Sequence, residues 1–288
     1  MDNIIMKGAP AAAELAAGLK KRSEELKALE TVPCLALIRV GEEAADISYE
    51  KGLLKRAEEA GVTVKKYLFD ASAGKEEILE AVRDINRDET IHGCLMFRPL
   101  KDRTAEMEVS ELLDPKKDVD SMTLRSQARA YTDGSEGFYP CTAEAVMELL
   151  RYYHIDVSGK KAVVIGRSQV IGRPAAMLLL NSDATVTICH SKSRGLKDIC
   201  RSADILVAAV GRAEMIDESY LAEGQTVIDV GINTNAEGRL CGDVKESAKQ
   251  ELASAYTPVP GGVGSVTTAI LMKHVIEAAE KGRGIYNE

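Results

Sequence analysis

The residues best placed to do chemistry gather around one glycine turn. In KKAVVIGRSQVIGRP a β-branched run ends at Gly166, a short loop follows, and Gly172 opens a helical pattern. A tight turn feeding a helix N-terminus offers free backbone N–H groups and the positive end of a dipole, which suits a phosphate. The spacing is G-x5-G rather than G-x-G-x-x-G, so spacing alone also allows an ordinary βα turn. Arg167, Ser168 and Arg173 surround it with cationic and hydroxyl donors and favour an anion. The next strand, Thr185–Cys189, ends in His190-Ser191-Lys192-Ser193-Arg194. An NAD site usually carries an acid at that tip to accept from the ribose 2′-OH. Hydroxyls and cations without an acid suit a 2′-phosphate, so the reading is NADP over NAD; the alternative is a solvated basic loop.

No metal chemistry is expected. Cys34, Cys94, Cys141, Cys189, Cys200 and Cys241 are scattered without a C-x-x-C pair, and His92, His154, His190 and His274 do not cluster. A zinc site needs grouped ligands, so the cysteines read as reduced, small apolar residues of a cytoplasmic protein. The 288 residues carry 37 Lys+Arg against 45 Asp+Glu, a net charge of −8. That field repels nucleic acid and anionic lipid, and neither is expected as a partner. With no Trp and 3 Phe, aromatic platforms for single strands are excluded and the core must be aliphatic. The longest apolar runs are about eight residues, short of the ~20 that span a bilayer. The start, MDNIIMKGAP, shows no secretory pattern.

Positioning the glycine turn takes a sheet, and the chain supplies strand patterns alternating with helical ones. Apolar spacing predicts helices over 11–29, 46–60, 75–85 and 105–113, with Gly61 as the residue after the second. Strands are predicted over 33–40, 62–69 and 91–97, a βαβ series implying a mainly parallel sheet. Residues 114–141 are polar and turn-rich, and a stretch that long is a functional loop or a crossover. Thr142 reads as the N-cap of a helix to about Tyr153. Strands over 161–165, 185–189, 204–210, 226–230 and 255–257 follow, then PVPGGVG and a final helix over 267–281. The fold class is therefore α/β in two lobes. An N-terminal substrate lobe (1–140, rejoined by 266–288) stands beside a Rossmann-like nucleotide lobe (141–265).

The motifs GRSQVIGRP, CHSK, IDVGIN (Ile228–Asn233), GDV (Gly242–Val244) and TPVPGGVG (Thr257–Gly264) occur in that order. With Gly41, Ala45, Ser48, Tyr49, the DVD of Asp118–Asp120 and Pro140-Cys141-Thr142, the whole chain resembles the methylenetetrahydrofolate dehydrogenase/cyclohydrolase family. The resemblance implies a tetrahydrofolate derivative as substrate, its pterin in a cleft between lobes, over Tyr49 and beside Asp120. Pro258, Pro260, Gly261 and Gly262 would close one side. The cofactor NADP would meet Gly166, Arg167, Ser168, Gly172, Arg173, His190 and Ser191. Its nicotinamide would be bounded by Gly211, Ile232 and Thr267. A homodimer is implied as well.

The sequence departs from the family at two positions. The family's catalytic lysine lies four residues after the tyrosine, where this chain has Leu53. At about 100° per residue, Lys51 and Lys55 lie about 200° and 240° round the helix from Tyr49 and cannot replace it. The family's glutamine, in a segment usually followed by Leu-Pro-Leu-Pro, is Phe97, followed by Arg98-Pro99-Leu100-Lys101. Hydride transfer needs alignment more than proton transfer. Hydrolysis of the methenyl product needs a proton shuttle. The expectation is a dehydrogenase with weak or absent cyclohydrolase activity, a separate protein supplying the hydrolysis. The alternatives are the ordinary bifunctional enzyme and an inactive folate/NADP-binding protein. Arg98 reads as a surface cation or as a contact for a folate glutamate tail.

Overall fold

The computed structural model describes residues 3–132 and 136–285. The chain divides into two compact units, with changes of unit at 13/14, 141/142 and 267/268. In chain order its elements begin with β1 (Ile4–Ile5), α1 (Gly8–Ala28), β2 (Cys34–Val40), α2 (Ala44–Ala60), β3 (Thr63–Phe69) and α3 (Lys75–Arg87). There follow β4 (Gly93–Met96), α4 (Arg103–Leu112), α5 (Leu124–Arg129), α6 (Cys141–Tyr152), β5 (Lys161–Ile165), α7 (Gly172–Asn181) and β6 (Thr185–Cys189). The remainder is α8 (Leu196–Arg201), β7 (Ile205–Ala208), β8 (Gln225–Asp229), β9 (Asn233–Thr234), β10 (Leu240–Cys241), α9 (Glu246–Leu252), β11 (Ala253–Tyr256) and α10 (Gly264–Gly282).

The substrate unit, Glu14–Cys141 with the chain from Thr268 on, is built on a parallel sheet in the order β3-β2-β4. Cys34 faces Thr63 across one side of β2, and Leu35 faces Gly93 across the other. β2 is central, so its run of Leu35–Ile38 is buried on both faces, as the unbroken apolar pattern requires. Ile78, Val82 and Ile85 of α3 and Val109 of α4 cover Ala36, Ile38 and Met96 with aliphatic surface. Gly61 ends α2 in the left-handed conformation (φ 74°), where a side chain would be strained. The 114–141 stretch is not structureless: it carries α5, whose first turn is capped by the Thr123 hydroxyl accepting from Ser126 N. Residues 133–135 of it lie outside the described residues.

The nucleotide unit, the chain up to Ala13 with Thr142–Thr267, is a six-stranded sheet in the order β1-β11-β8-β7-β5-β6, parallel throughout. Val163 and Ile165 of β5, Leu206 and Ala208 of β7 and Val227 of β8 form a core with Cys189, Cys200 and Tyr256. The boundary expected at the N-terminus is corrected here. Ile4 pairs with Ala255 and Ile5 with Tyr256, so the first residues belong to this unit and not to the substrate lobe. Thr142 is likewise not a cap, because α6 already starts at Cys141. Among the described residues no helix is long and apolar enough to cross a membrane. No group of potential metal ligands occurs among them either.

Candidate functional site

In the substrate unit the helix α2 carries the central residues. Glu50 is buried, and its carboxylate accepts from Arg39 Nε at 2.8 Å on β2 and pairs with Lys66 Nζ at 2.7 Å on β3. Burial pushes the Glu50 carboxyl up, but hydrogen bonds from Lys66 and Arg39 outweigh it and leave the group below its ordinary value. With Glu50 and Arg39 buried and Lys66 at the surface, this ion-pair cluster ties α2 to the sheet and fixes its rotation. Tyr49, one residue earlier than Glu50, is thereby held outward and is 46% exposed.

The Tyr49 ring meets Phe97 edge-on, with centroids 5.4 Å apart at 69°. Its hydroxyl end is less open than its ring. Burial there, then the electrostatic influence of Asp120 and of Cys141, raise its pKa well above the tyrosine range, while a hydrogen bond with Thr268 works against them. Tyr49, Asp120, Phe97 and Thr268 are thus brought together as one surface. Leu53 is 1% exposed and Phe97 9%, so both positions are sealed by apolar side chains. Lys51 and Lys55 are exposed, on the faces of α2 expected for them.

The two acids of the DVD segment differ in role. Asp118 is buried and accepts from Met122 N at 2.9 Å and Thr123 N at 2.7 Å, so it shapes the loop. Asp120 is partly open, and its Oδ2 lies 3.6 Å from a guanidinium nitrogen of Arg98. Burial raises the Asp120 carboxyl above its ordinary value, opposed by Arg98 and by a hydrogen bond with Cys141. Arg98 is partly buried and paired with Asp120, so it is not an isolated surface cation. Sequence reasoning missed this pair, along with Thr268 and His274, whose Nδ1 bonds the Val119 carbonyl at 2.8 Å. Only a fold places them, since no local spacing signals a contact between separate elements.

In the nucleotide unit the turn after β5 is as close as its glycines suggest. A Cβ on Gly166 (φ 136°) would stand 2.3 Å from the Ala209 carbonyl oxygen, and one on Gly172 2.3 Å from that of Gly166. Ser168 is also tied into its own loop. Its Oγ accepts from Ile171 N at 3.1 Å and Gly172 N at 3.3 Å, so it caps α7 with its hydroxyl proton left to donate outward. Arg167, Arg173, Ser191 and Lys192 are exposed around this turn and the tip of β6. The β6 tip is internally fastened: His190 N donates to Ser193 Oγ at 2.9 Å, and His190 Nδ1 accepts from Lys192 N at 3.2 Å.

The remaining expected residues sit on loops tied to two buried acids. Asp243 accepts from Val210 N at 2.6 Å, Gly211 N at 3.1 Å, Arg212 N at 2.9 Å and Asn233 Nδ2 at 2.9 Å. Asp229 accepts from Asp243 N at 2.9 Å, Val244 N at 3.0 Å and the Lys249 ammonium at 3.3 Å. Lys249 also donates to the Thr257 carbonyl at 3.0 Å. The IDVGIN, GDV and TPVPGG motifs thus meet in one polar knot, which holds Gly211 and starts the Pro258–Gly262 turn. Ile232 projects from it and is exposed. Gly261 accepts from Gly8 N at 2.7 Å, and Thr267 bonds the Gly264 carbonyl at 2.9 Å. Lys249 was not legible as a participant, lying on a helix of seven residues with no apolar period.

A parallel six-stranded sheet with a glycine turn leading into α7 defines a Rossmann-like nucleotide-binding unit, joined in one chain to an α/β unit with a three-stranded sheet. Residues 6–120 match the tetrahydrofolate dehydrogenase/cyclohydrolase catalytic domain. Residues 140–283 match the NAD(P)-binding domain of the same family. The chain belongs to the tetrahydrofolate dehydrogenase/cyclohydrolase family. A Carboxydothermus hydrogenoformans protein named bifunctional protein FolD is 47% identical over 96% of this chain and 98% of its own length. The structure of the bifunctional FolD enzyme of Campylobacter jejuni superposes with a TM-score of 0.90 at 35% identity, covering 96% of this chain and 98% of its own. The Trypanosoma brucei dehydrogenase–cyclohydrolase, solved with NADP cofactor and an inhibitor, gives a TM-score of 0.90 at 30% identity, covering 98% of both chains.

Proposed function

We propose that this chain is an NADP-dependent 5,10-methylenetetrahydrofolate dehydrogenase in which hydride transfer is the main activity and cyclohydrolase activity is weak. The names of the relatives favour two activities, as does the family match. The observation that carries the finer reading is the apolar pair Leu53 and Phe97, both shut off from solvent beside Tyr49. Neither side chain can hold or move a proton. A group that activates water at the methenyl carbon would have to come from elsewhere.

The nucleotide unit's residues fit NADP. Gly166 and Gly172 leave a turn that no side chain fills, and Arg167, Arg173, Ser191 and Lys192 are exposed cations and hydroxyls for phosphates. NADP, when bound, supplies the hydride acceptor. Ile232, exposed on the loop after β8, offers an apolar wall for a flat ring. On the substrate unit, the open Tyr49 ring offers a face for the pterin, and Asp120 accepts from its amino-pyrimidine edge. The methylene carbon gives up a hydride and no proton, its adjacent nitrogens bearing the charge that develops. Alignment is then the main requirement.

The test is a paired assay on one preparation. Methylenetetrahydrofolate and NADP are expected to give NADPH, while added methenyltetrahydrofolate disappears little faster than its spontaneous rate. Enzyme-dependent hydrolysis at a rate matching NADPH formation would overturn the weak-cyclohydrolase reading and leave the ordinary bifunctional one. Binding of both ligands without NADPH would instead support an inactive binding protein. The homodimer is checked by light scattering.

A further inference from the structure

We infer that Arg98 is a positioning residue for the substrate: its guanidinium holds the Asp120 carboxylate ionised and aimed as the acceptor for the amino-pyrimidine edge of a reduced folate. This rests on the folate reading of the site. The pair is half shielded, with side chains 25% and 32% exposed, so solvent weakens it less than a surface pair.

The groups facing Asp120 come from three elements and two loops. Asp118, two residues earlier, is occupied by Met122 N and Thr123 N and adds repulsion. Cys141, at the start of α6, contributes a thiol. His274 on α10 is buried and bonded through Nδ1 to Val119. Tyr49 on α2 is tied to Thr268 on α10. Arg98, just after β4, is the permanently charged cation among them. Without it, burial and Asp118 would both favour the neutral acid. A neutral carboxyl presents an O–H to a ring that needs acceptors. An ionised carboxylate has about four lone-pair sites, enough for Arg98 and two substrate N–H groups together.

Arg98→Leu and Arg98→Lys decide this, read as kcat and KM for methylenetetrahydrofolate from mildly acid to alkaline pH. In Arg98→Leu the KM is expected to rise about tenfold or more at the acid end and much less at the alkaline end. The acid limb of kcat/KM moves to higher pH, and Arg98→Lys returns it towards wild type. NADP affinity, measured on the other unit, should be unchanged and reports folding. In an Asp120→Asn background, Arg98→Leu should add nothing. An acid limb that stays in place in Arg98→Leu, a KM rise equal at every pH, or an additive effect on Asp120→Asn each overturns the proposal. Wild-type protein that binds NADP but does not oxidise methylenetetrahydrofolate sinks the folate reading and this inference with it.

Discussion

Replacing Lys249 by Met isolates the energetic weight of the polar knot in the nucleotide unit. Lys249 and Asp229 have wholly buried side chains, with Nζ 3.3 Å from Oδ2. The methionine fills most of the space of the lysine stem, so the lost term is electrostatic. What remains around Asp229 are backbone N–H groups of Gly231, Asp243 and Val244. Deleting one partner of a buried pair costs roughly 3–5 kcal/mol. The surviving N–H donors place the expected loss near the lower end, about 3 kcal/mol, against a typical stability of 5–15 kcal/mol. A pH signature separates this from a packing defect. Burial raises the Asp229 carboxyl, and Lys249 opposes it. Without the ammonium the folded-state pKa rises further, so the folded variant keeps a proton that the unfolded chain releases. Its deficit is then full at pH values above the raised pKa and shrinks as pH falls towards the ordinary aspartate value, about 3.9. Urea denaturation followed by circular dichroism at several pH values measures this. A loss under about 1 kcal/mol, or a deficit that ignores pH, would refute the assignment.

Two further outcomes are expected. Leu53→Lys with Phe97→Gln should raise enzyme-dependent hydrolysis of methenyltetrahydrofolate at a stability cost of about 1.5–3 kcal/mol for each apolar side chain lost; a folded double variant with no gain counts against the geometric argument. Arg173→Ala with Lys192→Ala should cut the preference for NADP over NAD by about tenfold or more at low salt, with KM for NAD little changed; an equal loss for both cofactors would place these cations away from the 2′-phosphate.

The long apolar runs were legible because their burial is uniform. Cys34–Val40 and Lys161–Ile165 are parallel strands, and such strands advertise themselves by continuous Val, Ile and Leu. Gly61 was legible for a single-residue reason, its positive φ. The short elements were not. Ile4–Ile5 has no period to read, and its pairing with β11 depends on residues far along the chain. The glycine turn could be read locally, whereas the part played by Ser168 depends on how the loop curls back on α7. Leu53 and Phe97 stood out only against a family pattern, since a leucine on a helix carries no signal of its own. The meeting of Arg98 with Asp120 is a tertiary contact between loops, and no sequence period encodes it.

The division of the chain has a bearing on how it is made. Neither unit is a continuous stretch: one takes the chain up to Ala13 and Thr142–Thr267, the other Glu14–Cys141 and the chain from Thr268 on. A ribosome delivering the N-terminus first releases β1 early, but its partner β11 only once residues 253–256 emerge. The substrate unit, though most of it is synthesised early, waits for the final helix. The usual course during synthesis, in which an N-terminal domain is finished and folds before the rest is made, therefore does not describe this arrangement, since neither unit is complete until its late segment is made. No single backbone cut would yield either unit whole.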